Sequence, residues 1–434
     1  MSKNPTIKMA QQALQAADPR GRAWVEVNLP AFRNNISLLS ALLPKGCKLM
    51  PVVKANAYGH GAIFLAQECN RMGIRDFCVA TATEGAALRE NGVQGQILVL
   101  GCTQPSQMEL LTDYRLTQTV VDAEYADWLE QYAARAGESR ANKSATGAGR
   151  ADETDESATG AGPVGAGPIL VHVGVDTGMH RLGEPWDHFE QISGIWDYPH
   201  LKVTGLFSHC CMADGISAEE RAFTLLQAKR LEETVRRLRD EGKKDFICHL
   251  LSSYGVFQYP KLCYDRARVG IALYGVLSSK GDLKCLPEAL KDKNGSLLSP
   301  VLSMKTRIAA VKELRAGEGA GYGLEYVAPK DTRLAILSSG YGDGIPRNLG
   351  CGRGFVLIGG HRAPIAGRIC MDQMAVELDT TEEIEAARGG EAVLIGASGR
   401  EQITVMDWAD WSDTISNEIL SRLGARPPRI YIDA

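Results

Sequence analysis

The chain has 434 residues and a formal net charge of −4, with 44% apolar and 23% charged residues. A chain of this length is expected to form two domains, or one large domain with an appendage. Its slightly acidic balance gives no basic field for nucleic acid or an anionic membrane surface, and no run of about 18 apolar residues is present to span a bilayer.

The N-terminus and the cysteines indicate the compartment. The first 22 residues lack the apolar segment of a secretory signal, and the 11 cysteines are spaced singly apart from Cys210 and Cys211. This spacing is typical of reduced thiols rather than of a disulfide framework or a zinc site. We therefore expect a cytoplasmic protein without a metal centre.

Short apolar runs alternate with longer amphipathic segments from residue 47 onwards. The apolar runs predict eight strands, at 47–53, 76–80, 96–100, 117–121, 168–174, 201–207, 246–251 and 265–270. Helical patterns lie between them, for example at 61–72, 83–91, 123–137 and 217–241. Eight strand–helix repeats predict a (β/α)8 TIM barrel, which we assign to residues 30–285.

The pattern changes beyond Tyr274. Segments such as VLSMKTRIAAV, RLAILSS, GFVLIGG and EAVLIGA are β-like, closely spaced and separated by Gly and Pro, and a helical pattern returns only near 404–423. This predicts a C-terminal, mainly β domain over 286–434. An N-terminal segment, 1–29, contains a strand-like run, AWVEVNL, that we expect to join the β domain.

Residues 137–167 fit neither pattern. They are rich in Ala, Gly, Ser, Thr and acidic residues, and SATGAG occurs in them twice, at 144–149 and 157–162. Such a composition buries too little apolar surface to offset the entropy of ordering, which predicts a disordered insertion. Because it precedes the fifth strand, we expect it on the amino-terminal face of the barrel, opposite the active site.

The decapeptide VVKANAYGHG, at 52–61, carries the most information about chemistry. Its apolar run ends in Lys54, and a lysine at the carboxyl end of a barrel strand can offer its amine to a carbonyl cofactor. Polar segments also follow other predicted strands, where barrel enzymes place their active sites. They are DTGMHRLG (176–183), SHC (208–210), LLSSYG (250–255) and ARVGIALYG (267–275).

These segments resemble the motifs of alanine racemases, and the resemblance covers nearly the whole chain outside the insertion. GAGYGLEY (319–326), SGYGDGIPR (339–347) and GRICMDQM (367–374) extend it through the predicted β domain, in the family's order. The resemblance implies an isomerase that uses pyridoxal 5′-phosphate (PLP) to interconvert L- and D-alanine for peptidoglycan.

The resemblance also implies a cofactor site. Lys54 would bind PLP covalently, Arg268 would face the pyridine nitrogen, and His209 would lie beside the ring and bond towards Arg268. The residues that would hold the phosphate are Tyr58, Ser253, Gly270 and Ile271, the last two through backbone N–H groups.

For the substrate, the resemblance implies a site shared between two subunits. Tyr322 would be the second catalytic base and would reach the active site of the partner, so that the active unit is a homodimer. Met371 would offer a backbone N–H to the substrate carboxylate, and Arg181 would support the carboxylate side of the site. Tyr341 would line the entrance to the active site.

Two positions depart from the family pattern. Gly174 stands where many alanine racemases have a lysine that orients the arginine, so that a bound anion or another side chain must orient Arg181, or Arg181 is looser. Asn417, in TISNEIL, stands where the family usually has a tyrosine that crowds the pocket. Its amide could receive a β-hydroxyl, and vancomycin-resistance serine racemases have the same asparagine. This predicts serine activity in addition to alanine activity.

Three alternatives remain. The chain could be a dedicated serine racemase of the vancomycin-resistance type. It could also be a non-catalytic PLP-binding barrel protein, although such proteins lack the β domain. A related amino-acid decarboxylase would use a cysteine of the partner subunit, and Cys370 is suggestively placed, but GRICM matches the racemase motif.

Overall fold

The computed structural model describes residues 20–145, 167–291, 296–378 and 386–433. Helices and strands alternate in its first part, and strands dominate the second. The strands are β1 (Ala23–Asn28), β2 (Lys48–Pro51), β3 (Asp76–Val79), β4 (Gln96–Val99), β5 (Thr117–Val120), β6 (Ile169–Asp176), β7 (Glu184–Pro185), β8 (Leu201–Phe207), β9 (Ile247–His249), β10 (Arg266–Val269), β11 (Leu302–Leu314), β12 (Gly319–Ala320), β13 (Tyr326–Val327), β14 (Thr332–Leu337), β15 (Phe355–Ile358), β16 (His361–Ala366), β17 (Met374–Leu378), β18 (Glu391–Ser398), β19 (Glu401–Ile403) and β20 (Arg429–Ile432).

The α-helices connect the early strands and return near the C-terminus. They are α1 (Leu29–Ala41), α2 (Ala62–Arg71), α3 (Ala82–Glu90), α4 (Glu109–Asp113), α5 (Ala123–Ala145), α6 (Phe189–Gly194), α7 (Ala218–Asp240), α8 (Ser253–Gln258), α9 (Val405–Ser412) and α10 (Ser416–Ser421). A helical turn of opposite hand, Lys54–Tyr58, follows β2.

The described residues divide into two compact units. The first, the barrel unit, comprises residues of 36–273 and 284–297, and the second, the β unit, comprises residues of 1–35, 274–283 and 298–434.

The barrel unit is a nearly closed barrel of eight parallel strands. They pair in the order β2-β10-β9-β8-β6-β5-β4-β3, with β7 added beside β6. A parallel bridge between Val52 and Cys78 links the ends of the first and second barrel strands. All eight predicted barrel strands are confirmed, with bounds that differ by two residues at most. The prediction of a TIM barrel is therefore confirmed.

Most of the barrel strands are apolar, because both faces of each strand are covered. In β3 and β4 the last three residues of each strand are all buried, as expected of parallel strands inside an α/β fold. Helix α7 begins at a capping box, in which the Ser217 hydroxyl accepts the Glu220 N–H and the Glu220 carboxylate accepts the Ser217 N–H.

The β unit confirms the predicted mainly β region. Its sheet order is β19-β18-β15-β16-β17-β14-β11-β1-β20, and an additional pairing between β18 and β11 closes six antiparallel strands into a ring. Strand β1 pairs antiparallel with β11 and parallel with β20, so the early segment lies in this sheet. In β11 buried and half-buried residues alternate from Leu302 to Ile308, as expected when one sheet face is covered. Helices α9 and α10 correspond to the helical pattern near 404–423.

Two expectations need correction. Helix α5 continues to Ala145, so the predicted disorder is wrong for 137–145, whose alanines are good helix formers; residues 146–166 lie outside the described residues. Cys47 and Cys263 form a disulfide although reduced thiols were expected. They are 216 positions apart in the chain but precede the neighbouring strands β2 and β10, and only the fold reveals that proximity.

No helix among the described residues is long and apolar enough to span a membrane.

Candidate active site

Lys54 lies directly after β2, at the carboxyl end of the barrel. Its side chain is half-buried, and burial together with the positive charge of Arg181 lowers its pKa. A lowered pKa increases the fraction of unprotonated amine, which is the form that attacks a carbonyl carbon. Lys54 therefore has the position and the electrostatics of a Schiff-base lysine.

The chain leaves Lys54 in a left-handed turn. Four successive non-glycine residues, 55–58, have φ between 50° and 55°, in the left-handed region that L-residues seldom adopt. Two bonds hold the turn: the Glu84 carboxylate accepts the N–H of Ala55 at 2.7 Å, and the Asn56 side chain accepts the N–H of Ala62 at 2.9 Å. Such strain persists only where the surroundings impose it and is typical of functional sites. The sequence analysis did not predict this turn.

Tyr58 ends the turn beside the last barrel strand. A Cβ placed on Gly270 would lie 2.8 Å from the Tyr58 hydroxyl, so only glycine leaves room for it. Burial raises the pKa of Tyr58 to about 12, so the phenol stays protonated and can donate a hydrogen bond.

Ser253 is buried at the start of α8, next to the same glycine. Its hydroxyl accepts the N–H of Gly270 at 3.2 Å and lies 3.4 Å from the N–H of Ala272. Ile271, between these two residues, is buried. The structure thus brings together Tyr58, Ser253, Gly270 and Ile271, the four residues predicted to hold the cofactor phosphate. Backbone N–H groups and hydroxyls that converge in this way form a good phosphate cradle.

Arg268, on β10, is buried and surrounded by neutral acceptors. Its guanidinium donates to the carbonyl oxygens of Ser208, His249 and Leu250, and to one ring nitrogen each of His249 and His209. The predicted bond between His209 and Arg268 is present, at 3.2 Å. Burial and the charge of Arg268 lower the pKa of His209 to about 3, so its imidazole is neutral.

Arg181 is exposed, but it acts electrostatically on Lys54, His209 and Arg268. No residue in the described part of the chain makes a hydrogen bond or an ion pair with it. A Cβ on Gly174 would lie 3.2 Å from the Val120 carbonyl oxygen, so a larger side chain there would need the backbone to shift. The three alternatives for what orients Arg181 therefore stay predictions.

The positive side chains at this end of the barrel form a set suited to an anionic cofactor. PLP carries a phosphate and an aldehyde, and the barrel unit offers a lysine amine, a phosphate cradle and a buried guanidinium within one group of strand ends. The residues present therefore fit PLP.

The β unit places Tyr341 and Met371 on two loops that contact each other. Tyr341 donates its N–H to the Cys370 carbonyl at 3.0 Å, and the Met371 carbonyl accepts the N–H of Gly342 at 2.8 Å. A Cβ on Gly340 would lie 2.2 Å from the Cys370 carbonyl oxygen, so this close approach of two loops requires glycine. Tyr341 and Met371 thus lie on two neighbouring loops that backbone hydrogen bonds join.

Tyr322 lies in a short 3-10 turn between β12 and β13 and is 69% exposed. Gly321 and Gly323, on either side of it, both have positive φ, and this explains the glycines of the motif. Glu325, at the end of the turn, pairs with Arg368 of the GRICM loop.

Asn417 is the second residue of α10 and is half-buried. Its side-chain oxygen accepts a hydrogen bond from the Ser278 hydroxyl at 2.9 Å, and the Ser278 carbonyl accepts the N–H of Ser416 at 2.9 Å. Sequence reasoning missed Ser278, which no motif marks. It also missed His249, an imidazole that ends β9 directly before the LLSSYG motif.

Comparisons with known proteins agree with this geometry. The family model described as "Alanine racemase, N-terminal domain" matches residues 27–278, and the one described as "Alanine racemase, C-terminal domain" matches residues 301–431. The chain belongs to the alanine racemase family. Alanine racemases and amino-acid racemases are enzymes, and this chain is accordingly an enzyme of the amino-acid racemase class.

Individual members of the family show how far the likeness extends. The chain is 36% identical over 417 residues to the alanine racemase of Nostoc sp., covering 95% of this chain and 96% of that protein. It is 35% identical over 407 residues to an amino-acid racemase of Enterococcus faecalis, and it spans only 51% of that protein's length. Among solved structures, the alanine racemase of Streptomyces coelicolor has a TM-score of 0.79 and 31% identity, with 95% of this chain and 98% of that chain covered.

Proposed function

We propose that this protein interconverts the L- and D-forms of alanine with PLP as cofactor, using Lys54 and Tyr322 as two bases. The position of Lys54 carries the proposal: the half-buried amine, of lowered pKa, lies at the carboxyl end of β2. Around it are the other strand-end groups that fit PLP.

PLP, once bound in this site, would withdraw electrons from the Cα of an attached substrate and so make the Cα proton acidic, while the amine of Lys54 is free to act as a base. Tyr58, Ser253 and the N–H groups near Gly270 hold the phosphate in this proposal. Arg268 would face the pyridine nitrogen of the bound cofactor. Because a guanidinium remains charged and gives up no proton, it leaves the ring nitrogen unprotonated, which weakens the ring as an electron sink and limits side reactions.

Racemisation needs a proton to leave one face of Cα and another to arrive at the opposite face. A single group fixed on one side cannot easily do both, so Lys54 serves one face and Tyr322 the other, each as a base in one direction and an acid in the reverse. Tyr322 acts in the site of a partner subunit. Its exposure, and that of the neighbouring Leu324 and Val327, at 61% and 55%, support a surface that a second copy covers.

Asn417 supports activity on serine as well as alanine. An asparagine is smaller than the usual tyrosine and can hydrogen-bond a β-hydroxyl. The Ser278 hydroxyl donates to its side-chain oxygen, and this bond fixes the orientation of the amide. We propose a cytoplasmic enzyme that supplies D-amino acids for peptidoglycan, and the family resemblance supports the second of these assignments.

Mixing two inactive variants tests the shared site. Lys54→Ala subunits and Tyr322→Phe subunits are unfolded and refolded together, or co-expressed, and D-alanine formation from L-alanine is followed by chiral separation. A mixed dimer has one site with neither base and one site with both, so random mixing should restore about a quarter of the wild-type activity. Each variant mixed with itself is the control.

Either of two results would contradict the proposal. If the mixed sample stays as inactive as its parents although mixed dimers form, the two bases do not meet across subunits. If the wild-type protein binds PLP but forms neither D-alanine nor D-serine, the chain is a PLP-binding barrel without turnover.

A further inference from the structure

A series of hydrogen-bonded polar side chains, three buried and one half-buried, crosses the interior of the barrel and ends on Arg268. Arg268 lies 2.5 Å from His249 Nδ1, His249 Nε2 lies 2.9 Å from His172 Nδ1, and His172 Nε2 lies 2.9 Å from the side-chain nitrogen of Gln96. The four residues come from β10, β9, β6 and β4.

Chemistry fixes the direction of these hydrogen bonds. A guanidinium only donates, so His249 Nδ1 must accept, and a neutral imidazole then carries its proton on Nε2. His249 Nε2 therefore donates to His172 Nδ1, which leaves His172 with its own proton on Nε2. Burial and the charge of Arg268 lower the pKa of His172 to about 3 and that of His249 well below its ordinary value, so both rings are neutral.

The far end of the chain then determines the orientation of Gln96. Two N–H donors cannot face each other, so the Gln96 amide must turn its oxygen towards His172. The oxygen and nitrogen of an amide are distinguished only by their hydrogen bonds. In the turned orientation, the oxygen also accepts the Thr117 hydroxyl, whose oxygen lies 3.2 Å from the same amide position. Each hydrogen bond from Arg268 to Thr117 then has one donor and one acceptor.

The packing around the imidazoles shows that the barrel is shaped to hold them. A Cβ on Gly205, the cross-strand neighbour of His172, would lie 2.5–2.6 Å from three atoms of the His172 ring. Phe207 stacks on the His249 ring with 4.8 Å between centroids, and the Arg268 guanidinium lies 5.0 Å from the Phe207 centroid. Glycine at 205 makes room for one ring, and Phe207 fixes the other.

Arg268 has no carboxylate partner within the described residues. The dipoles of His249, His172 and Gln96 are aligned head to tail, each with its negative end towards the guanidinium. Aligned hydrogen bonds polarise one another, and the effect is strong in a medium of low dielectric constant. Such a series of dipoles stabilises a buried cation and leaves its charge uncompensated. A carboxylate would instead neutralise the charge.

We propose that His172 and Gln96 are positioning residues that act through His249 to hold Arg268 as an oriented, uncompensated cation at the carboxyl end of the barrel. The hydrogen-bond chain itself does not depend on the proposed function. Its consequence for turnover does rest on that function, because Arg268 is there the residue that faces the cofactor ring.

The direct test is the protonation pattern of the histidines. The purified protein with bound PLP is labelled with 15N-histidine, and two-bond 1H–15N correlation spectra identify which ring nitrogen carries the proton. We expect His172 and His249 to carry it on Nε2 only and not to titrate between about pH 5 and 9. Gly205→Ala, which removes no hydrogen-bonding group but places a methyl group against the His172 ring, should shift the His172 resonances. An Nδ1 proton or a titration in this range on either ring would overturn the proposal.

Gln96 variants separate positioning from a structural role. Gln96→Met removes the acceptor, whereas Gln96→Glu keeps one. Gln118→Met, which alters a buried glutamine on the adjacent strand β5, is the matched control. We expect Gln96→Met to lower kcat for alanine about tenfold at unchanged KM, as is typical when a residue behind a functional group is lost. Gln96→Glu should restore most of the loss, and Gln118→Met should leave the His249 resonances in place.

Equal losses of kcat in Gln96→Met and Gln96→Glu, or the same His249 shifts in Gln118→Met, would reduce His172 and Gln96 to packing residues and overturn the proposal. If the wild-type protein proves inactive as a racemase, the proposed function fails, while the spectra still decide whether the hydrogen-bond chain exists.

Discussion

The barrel unit and the β unit hold their site residues in opposite ways. In the barrel unit, Arg268 and Ser253 are buried and Lys54 is half-buried, and each is fixed by a strand or by the backbone directly after one. In the β unit, Tyr322 and Met371 are 69% and 49% exposed and lie on turns. One set is enclosed by its own unit, and the other is presented on the surface.

This difference indicates a division of labour. A cofactor that is to stay bound needs a buried, preorganised cradle, and the strand ends of the barrel unit provide one. An exposed tyrosine in an aqueous turn makes a poor acid or base until another surface excludes water from it. We therefore expect changes in the barrel unit to affect cofactor binding first, and changes in the β unit to affect proton transfer and specificity with the cofactor still bound.

The largest effect is expected from Lys54→Ala. Without the amine no covalent link to PLP forms, so the absorbance band of the bound cofactor should disappear and racemisation should fall about 10⁴-fold or more. Absorbance spectra and chiral assays measure the two losses. Lys48→Ala, which changes an exposed lysine at the other end of β2, is the control and should retain both. A Lys54→Ala protein that keeps the band would show that another lysine binds the cofactor.

Tyr322→Phe should leave PLP binding intact and reduce turnover by about 10²- to 10⁴-fold, the range for loss of a general acid–base group. Exchange of the Cα proton with deuterated solvent should suffer far more for one enantiomer of alanine than for the other, because only one face loses its base. Tyr341→Phe, at another exposed tyrosine with no proposed proton transfer, is the comparison. Equal losses for both enantiomers would contradict a role on one face.

Asn417→Tyr should change specificity more than rate. A tyrosine would crowd the pocket and remove the amide, so the ratio of kcat/KM for serine to that for alanine should fall about 10- to 100-fold. Parallel assays with L-serine and L-alanine measure the ratio, and Asn417→Ala separates loss of the amide from gain of the ring. An unchanged ratio in both variants would remove Asn417 as a specificity residue.

The sequence predicted the barrel well because parallel strands buried on both faces leave a strong apolar signal, as in VVK and QILVL. Once the strands were placed, the polar residues after them fell at one end of the barrel. Lys54, His209 and Arg268 were therefore predicted close together, and the structure places them so that they interact electrostatically.

What the sequence did not predict depends on contacts between distant segments. His172 and His249 look like isolated core histidines until the pairing of β6, β8 and β9 brings their rings together. The left-handed turn after Lys54 has no glycine within 55–58 to mark it and is imposed by surroundings such as Glu84. The hydrogen bond from Ser278 to Asn417 likewise joins residues 139 positions apart.

The smallest effect is expected from replacing residues 146–166 with a short Gly-Ser linker. Strand β5 runs towards the carboxyl end of the barrel, α5 returns to the amino-terminal end, and β6 starts there at Ile169, so the described elements that flank these residues approach the face opposite Lys54. Insertions on that face are tolerated, and kcat/KM for alanine should stay within about a factor of two. By contrast, deleting residues 213–215, which follow β8 on the carboxyl face, should lower kcat/KM for alanine by more than that factor. A shortened protein that loses activity or its dimer would instead give the insertion a part in assembly, and would end the assignment of function to the carboxyl face alone.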